Sequence, residues 1–102
     1  MVSVIENKMK NLEQLCRRYH VSRLEIFGSA AVDDMNAASD LDFLVEFDAA
    51  AQPHRFDNFF AFQKALATLF KRPVDLVEPG ALRNPYFIRS VNETRKVVYA
   101  AS

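Results

Sequence analysis

Hydrophobic residues recur at two different periods along this chain, and the changes of period mark its elements. Ile5, Met9, Leu12, Leu15, Cys16 and Tyr19 fall at helical spacing, with Lys8, Lys10, Glu13, Arg17 and Arg18 elsewhere, which predicts an amphipathic helix over residues 3–20. Residues 23–27 are short, apolar-rich and stopped by Gly28, as expected of a strand feeding a turn. Residues 29–39 are small and polar and read as a loop. Residues 40–47 then alternate, with Leu44 the one apolar residue on the acidic face. Leu41, Phe43, Val45 and Phe47 share one face, and Asp40, Asp42, Leu44 and Glu46 share the other, making this the clearest strand.

Residues 48–55, with Pro53, form a connection. Phe56, Phe59, Phe60, Phe62, Leu66, Leu69 and Phe70 predict a second amphipathic helix over 56–70, covering roughly half of its circumference. That arc is wider than one sheet contact requires. It implies a deeply packed helix, or else a partner surface that includes Phe60 or Phe62. Residues 73–77 read as a short strand ended by Pro79-Gly80. Asn84-Pro85 resembles an N-cap followed by proline at the first helical position, opening a helix to about residue 91. Residues 96–100 close the chain as a last strand. The order helix, strand, strand, helix, strand, helix, strand predicts one α+β (or α/β) domain over residues 1–102, with a mixed sheet flanked by helices.

Composition narrows the setting. The chain has 102 residues, half of them hydrophobic, with thirteen acidic and thirteen basic side chains. This balance supplies no field to draw the protein to nucleic acid or a membrane surface, so direct nucleic-acid binding is not expected. The single Cys16 excludes an intrachain disulfide and offers no zinc spacing, so a cytoplasmic location is expected. No apolar run approaches the ~20 residues that span a bilayer. Oligomeric state is open, a homo-oligomer included. His20 and His54 lack ligand companions and read as surface or packing residues, and Cys16 as a core thiol.

The chemistry concentrates in one stretch. Phe27-Gly28-Ser29 is followed ten residues later by Asp40-Leu41-Asp42. On a strand the two aspartates point the same way, about 7 Å apart at the backbone from a rise of ~3.3 Å per residue. Carboxylates that close repel unless cations lie between them, and an oxygen-only ligand set suits Mg²⁺. Asp75 is a lone carboxylate inside the apolar run Val74-Asp75-Leu76. If its strand lies beside the 40–47 strand, three carboxylates converge, a set able to hold two Mg²⁺ ions for phosphoryl or nucleotidyl transfer. Gly28, one of only two glycines, lets the backbone approach a phosphate, and the Ser29 hydroxyl with neighbouring N–H groups can bind a triphosphate.

Phe27-Gly28-Ser29, Asp40-Leu41-Asp42-Phe43-Leu44-Val45 and Val74-Asp75-Leu76-Val77 together resemble the signature of the minimal nucleotidyltransferases of the DNA polymerase β-like superfamily. The resemblance spans nearly the whole chain. It implies a compact nucleotidyltransferase core and Mg²⁺-dependent transfer of AMP from ATP to a hydroxyl, with release of pyrophosphate. Asp40, Asp42 and Asp75 are then the catalytic metal ligands, Asp75 as third ligand or base, and Gly28 and Ser29 bind the triphosphate. Members this small resemble the MntA-type antitoxins of HEPN/MNT pairs, which implies a HEPN-domain toxin as partner and one of its tyrosines as acceptor. The chain departs from the family in one respect. Basic residues often follow Gly-Ser, whereas Ala30-Ala31-Val32 and Asp33-Asp34 stand here. A lost arginine removes a charge-assisted contact of roughly 1.5–3 kcal/mol. Arg55, Arg83 and Arg89 are candidates to replace it. Without a replacement, the alternative is an idle nucleotidyltransferase fold that neutralises its partner by binding alone.

Overall fold

The computed structural model describes residues 3–28, 40–51 and 54–101. Its elements run in the order α1 (Ser3–Glu6), α2 (Met9–Arg18), β1 (Val21–Phe27), β2 (Leu41–Phe47), α3 (Arg55–Phe70), β3 (Val74–Val77), α4 (Pro85–Thr94) and β4 (Lys96–Ala100). Short 3₁₀ turns at Ala49–Ala51 and Pro79–Ala81 join them. The helix expected over 3–20 is two segments, because the chain turns at Asn7-Lys8, where the Lys8 amide bonds the Ile5 carbonyl at 2.9 Å. An asparagine side chain competes with helical backbone bonds, so it favours such a break. The last helix runs to Thr94, three residues beyond the expected end. Its start is the one anticipated, with the Asn84 side chain accepting from the amides of Tyr86 and Phe87 ahead of Pro85.

The four strands form a mixed sheet in the order β3-β2-β1-β4. β1 pairs antiparallel with both β2 and β4, while β2 and β3 are parallel. A parallel neighbour demands a crossover between the two strands, and α3 supplies it. The alternation of β2 sorts the two faces. Leu41, Phe43 and Val45 are buried with Leu24 and Ile26 of β1 against Leu12 and Cys16 of α2 and Phe62 and Leu66 of α3. On the opposite face a smaller cluster of Phe27, Leu44 and Val91 lies under α4, with Val77 and Leu82 at its margin.

A buried ion pair also binds the end of α4 to the sheet. Glu25 of β1, only 4% exposed, accepts from Nε and Nη2 of Arg95 and from Arg23. Burial alone would raise the Glu25 carboxyl, but the hydrogen bonds and charges of the two arginines outweigh it and hold the group below its ordinary range. Cys16 is a buried thiol pushed up to about 12 by burial and by Glu13, so it is inert as a nucleophile.

The wide apolar arc of α3 resolves into two roles. Phe62, Leu66 and Phe70 enter the core, whereas Phe56 is 76% and Phe60 61% exposed. Phe62, fully buried between Tyr19 and Phe47, therefore cannot belong to a partner surface as the sequence allowed. Phe60 remains available.

Candidate active site

β2 and β3 pair in a register that sets Asp42 directly opposite Asp75. In a parallel pair, residues in register point to the same face, so these two carboxylates stand side by side on the face away from α3's core contacts. Asp40 lies one residue before β2 and is exposed, near enough for its charge to act on Asp42. Asp42 is half-buried and is pushed up to about 6. The causes are burial first, then the charge of Asp75, the hydrogen bond with Asp75 and the charge of Asp40. A carboxyl whose proton affinity is raised by neighbouring like charges marks a site that a cation would relieve.

Gly28 ends β1 immediately beside this pair. Phe27 is in register with Asp42, and Gly28 adopts φ +76. A Cβ at that position would lie 2.8 Å from Asp42 Oδ2. Glycine is thus required twice, for the left-handed backbone and for the approach to the carboxylate. The Gly28 amide donates to Thr94 Oγ1 at 2.9 Å, and Thr94 in turn donates to the Ser90 carbonyl at 3.1 Å. The end of α4 therefore fixes the turn. Ser29 and the stretch Ala30-Ala31-Val32-Asp33-Asp34 lie outside the described residues.

A cavity of about 350 Å³ opens beside Asp42 and Asp75. Among the described residues no basic side chain lines it. Arg55 pairs with Glu78 at 2.6 Å, Arg83 donates to the Gly80 carbonyl at 2.6 Å, and Arg89 pairs with Glu93. None of these three arginines lines the cavity. A larger groove of about 580 Å³ between α2 and α3, bordered by Leu15, Arg18, Ala61, Lys64 and Leu69, has no carboxylate among its lining residues. The smaller cavity is therefore the chemical one. Among the described residues no three acidic, histidine or cysteine side chains stand arranged to hold a metal ion as they are. The fit of a cation rests instead on the Asp42–Asp75 pair, whose oxygens are hard donors of the type Mg²⁺ takes.

Thr94, Phe60, Gln63 and Phe87 were not singled out as site residues by their sequence pattern. Thr94 reaches Gly28 across 66 residues, and only the fold brings them together. Phe60, Gln63 and Phe87 line the cavity with the carboxylates; the excess apolar arc of α3 was the one signal that pointed towards Phe60.

A mixed four-stranded sheet with facing acids on adjacent strands and a glycine turn alongside is the architecture of nucleotidyl-transfer domains. The chain belongs to the nucleotidyltransferase domain family, which it matches over residues 8–98, and it is a nucleotidyltransferase. Two candidate protein adenylyltransferases of Methanocaldococcus jannaschii are 37% and 31% identical to it over 84 residues, which is 82% of this chain and 83% of each relative. A solved structure described as a minimal nucleotidyltransferase superposes with a TM-score of 0.73 at 25% identity, covering 93% of both chains. A toxin–antitoxin structure with AMP-PNP has a TM-score of 0.65 at 19% identity, covering 91% of this chain and 73% of that one. A tri-AMPylated HEPN toxin of Shewanella oneidensis in complex with MNT antitoxin has a TM-score of 0.59 at 18% identity, covering 94% and 72%. These last two are likenesses of fold. No helix among the described residues is long and apolar enough to cross a membrane.

Proposed function

We propose that the protein transfers AMP from ATP to a tyrosine hydroxyl of a HEPN-type toxin and thereby acts as its antitoxin. The observation that carries this reading is the register of β2 and β3, which brings Asp42 and Asp75 together on one face beside the Gly28 turn. Asp42 and Asp75, with Asp40 at their margin, would hold two Mg²⁺ ions. Bound Mg²⁺ would supply charge neutralisation on the triphosphate and polarisation of the attacking and leaving oxygens.

The residues of this chain do the rest. Gly28 and Ser29 receive the triphosphate, with the backbone able to approach because no Cβ intervenes. Thr94 keeps the turn in place by accepting the Gly28 amide. The acceptor oxygen forms a bond to the α-phosphorus as the bond from that phosphorus to the bridging oxygen breaks, and pyrophosphate leaves with the electron pair. The hydroxyl proton passes to a carboxylate of the set. The names borne by the relatives from Methanocaldococcus jannaschii, and the AMPylated toxin in one fold neighbour, support this choice of reaction and partner.

A second reading is neutralisation by binding alone. It is favoured by one observation, that Arg55, Arg83 and Arg89 are engaged elsewhere and no basic side chain among the described residues lines the cavity. One experiment separates the two. The protein is incubated with α-labelled ATP, Mg²⁺ and the HEPN-type protein encoded beside it. Adenylyl transfer predicts label on the partner, abolished by chelation and by Asp42→Asn. Absence of label, with the toxin still silenced by both wild type and Asp42→Asn, establishes the second reading instead.

A further inference from the structure

Glu25 is the one charged side chain that the fold buries among the described residues, and the reaction above makes no use of it. It stands opposite Leu44 as Phe27 stands opposite Asp42. Directly opposed residues of an antiparallel pair share a face, so Glu25 lies on the α4 side of the sheet, the side that carries the site. A carboxylate there costs free energy to desolvate, and an apolar side chain would pack under α4 without that cost. What Glu25 holds gives the reason for its presence.

Nε and Nη2 of Arg95 both donate to Glu25 Oε2, the first at 3.0 Å, and Arg23 donates to Oε1 at 3.2 Å. Arg95 is the residue at which α4 ends and β4 begins. Its Nη1 donates to Asn92 at 2.9 Å and its amide to the Val91 carbonyl at 2.8 Å, so the guanidinium ties the last turn of the helix to β1. The residue before it is Thr94, whose hydroxyl accepts the Gly28 amide. Little else fixes this helix, since Val91 is its one buried side chain. A helix end with so few buried contacts opens readily unless polar bonds hold it.

We infer that Glu25 is a positioning residue for the nucleotide: by gripping Arg95 it keeps Thr94 where its hydroxyl holds the Gly28 turn in the shape that receives the triphosphate. This rests on the adenylyl-transfer reading, with ATP as donor. Glycine has many backbone conformations open to it, and the bond to Thr94 selects the one at φ +76. A turn already set in its binding shape loses little freedom when ATP arrives. Glu25 therefore acts on ATP affinity, through Arg95 and Thr94, and not on the transfer step itself.

The test measures ATP affinity in the presence of Mg²⁺, label transfer at saturating ATP, and hydrogen exchange of backbone amides. Glu25→Gln keeps the shape of the side chain and removes its charge. It should weaken ATP about fivefold while transfer at saturating ATP stays within about twofold. The Gly28 amide should exchange about tenfold faster, with the amides of β2 as protected as in wild type, a contrast that a general loss of stability would not give. In a Thr94→Val background, where the link to Gly28 is already cut, Glu25→Gln should change ATP affinity by less than about twofold. If Glu25→Gln fails to fold, Arg95→Lys carries the same comparisons, since it keeps a charge and loses the two-nitrogen grip on Glu25. Unchanged ATP affinity, unchanged Gly28 exchange, or a full fivefold loss added in the Thr94→Val background each overturns the inference. Failure of the adenylyl-transfer reading shows differently: a wild type that binds no ATP refutes both, whereas ATP bound without transfer to any acceptor refutes that reading alone and leaves affinity and exchange to decide the role of Glu25.

Discussion

Replacing Asp42 by asparagine should stabilise the metal-free protein while destroying its activity, and the size of the effect follows from the site. Asp42 is pushed from an ordinary 3.8 up to about 6, first by burial, then by Asp75 and Asp40. Its folded value lies above its unfolded one, so ionisation costs stability. The penalty is absent below about 3.8, grows as pH rises towards 6, and is complete above 6. At 1.36 kcal/mol per pH unit the full gap corresponds to about 3 kcal/mol. Asp42 is only half-buried and its two acidic neighbours are exposed, so solvent screening reduces this to about 1–1.5 kcal/mol. An asparagine amide can still donate to Asp75, but it carries no charge. For a domain of this size the variant should melt about 5 °C above wild type at pH 7.5, with the gain shrinking between pH 6 and pH 4. Thermal melts by circular dichroism at three pH values provide the assay. Added Mg²⁺ should reverse the order, raising the wild-type melting point and leaving Asp42→Asn unmoved. A variant no more stable than wild type at pH 7.5, or a gain unchanged at pH 4, would refute the account of this site.

Gly28→Ala should cost about 1–2 kcal/mol from backbone strain at φ +76. It should also abolish transferase activity, because the new methyl meets Asp42 Oδ2 at 2.8 Å; a label-transfer assay with normal turnover would contradict this. Thr94→Val removes the acceptor of the Gly28 amide and should raise KM for ATP with a smaller change in kcat, and Thr94→Ser should restore it; an unchanged KM would show that the contact does not position the turn. Phe62→Ala should destabilise by about 3–5 kcal/mol as a core truncation, whereas Phe60→Ala, close by on the same helix but outside the core, should stay within ±0.5 kcal/mol; urea melts of the pair provide the comparison.

Local signals made much of the fold legible. The alternation of β2 marked the face that packs on α2 and α3, because a pleated strand turns successive side chains to opposite sides. Asn84-Pro85 marked the start of α4, since the cap and the first turn involve only adjacent residues. Gly28, Asp42 and Asp75 stood out as residue types whose chemistry fits poorly with an apolar strand or an ordinary turn. These features depend on a few neighbouring positions, so the sequence by itself could determine them.

The tertiary structure decided what depends on partners distant along the chain. Asp75 could have faced either way until the parallel register with β2 set it opposite Asp42, since a one-residue slip would have turned it to the other side. The apolar arc of α3 did not reveal which phenylalanine the core takes, and packing chose Phe62 over Phe60. Glu25 finds Arg95 across 70 residues and Gly28 finds Thr94 across 66, pairings that no local period encodes. Periodicity specifies the face each element buries. Topology alone brings side chains from separate elements to one place.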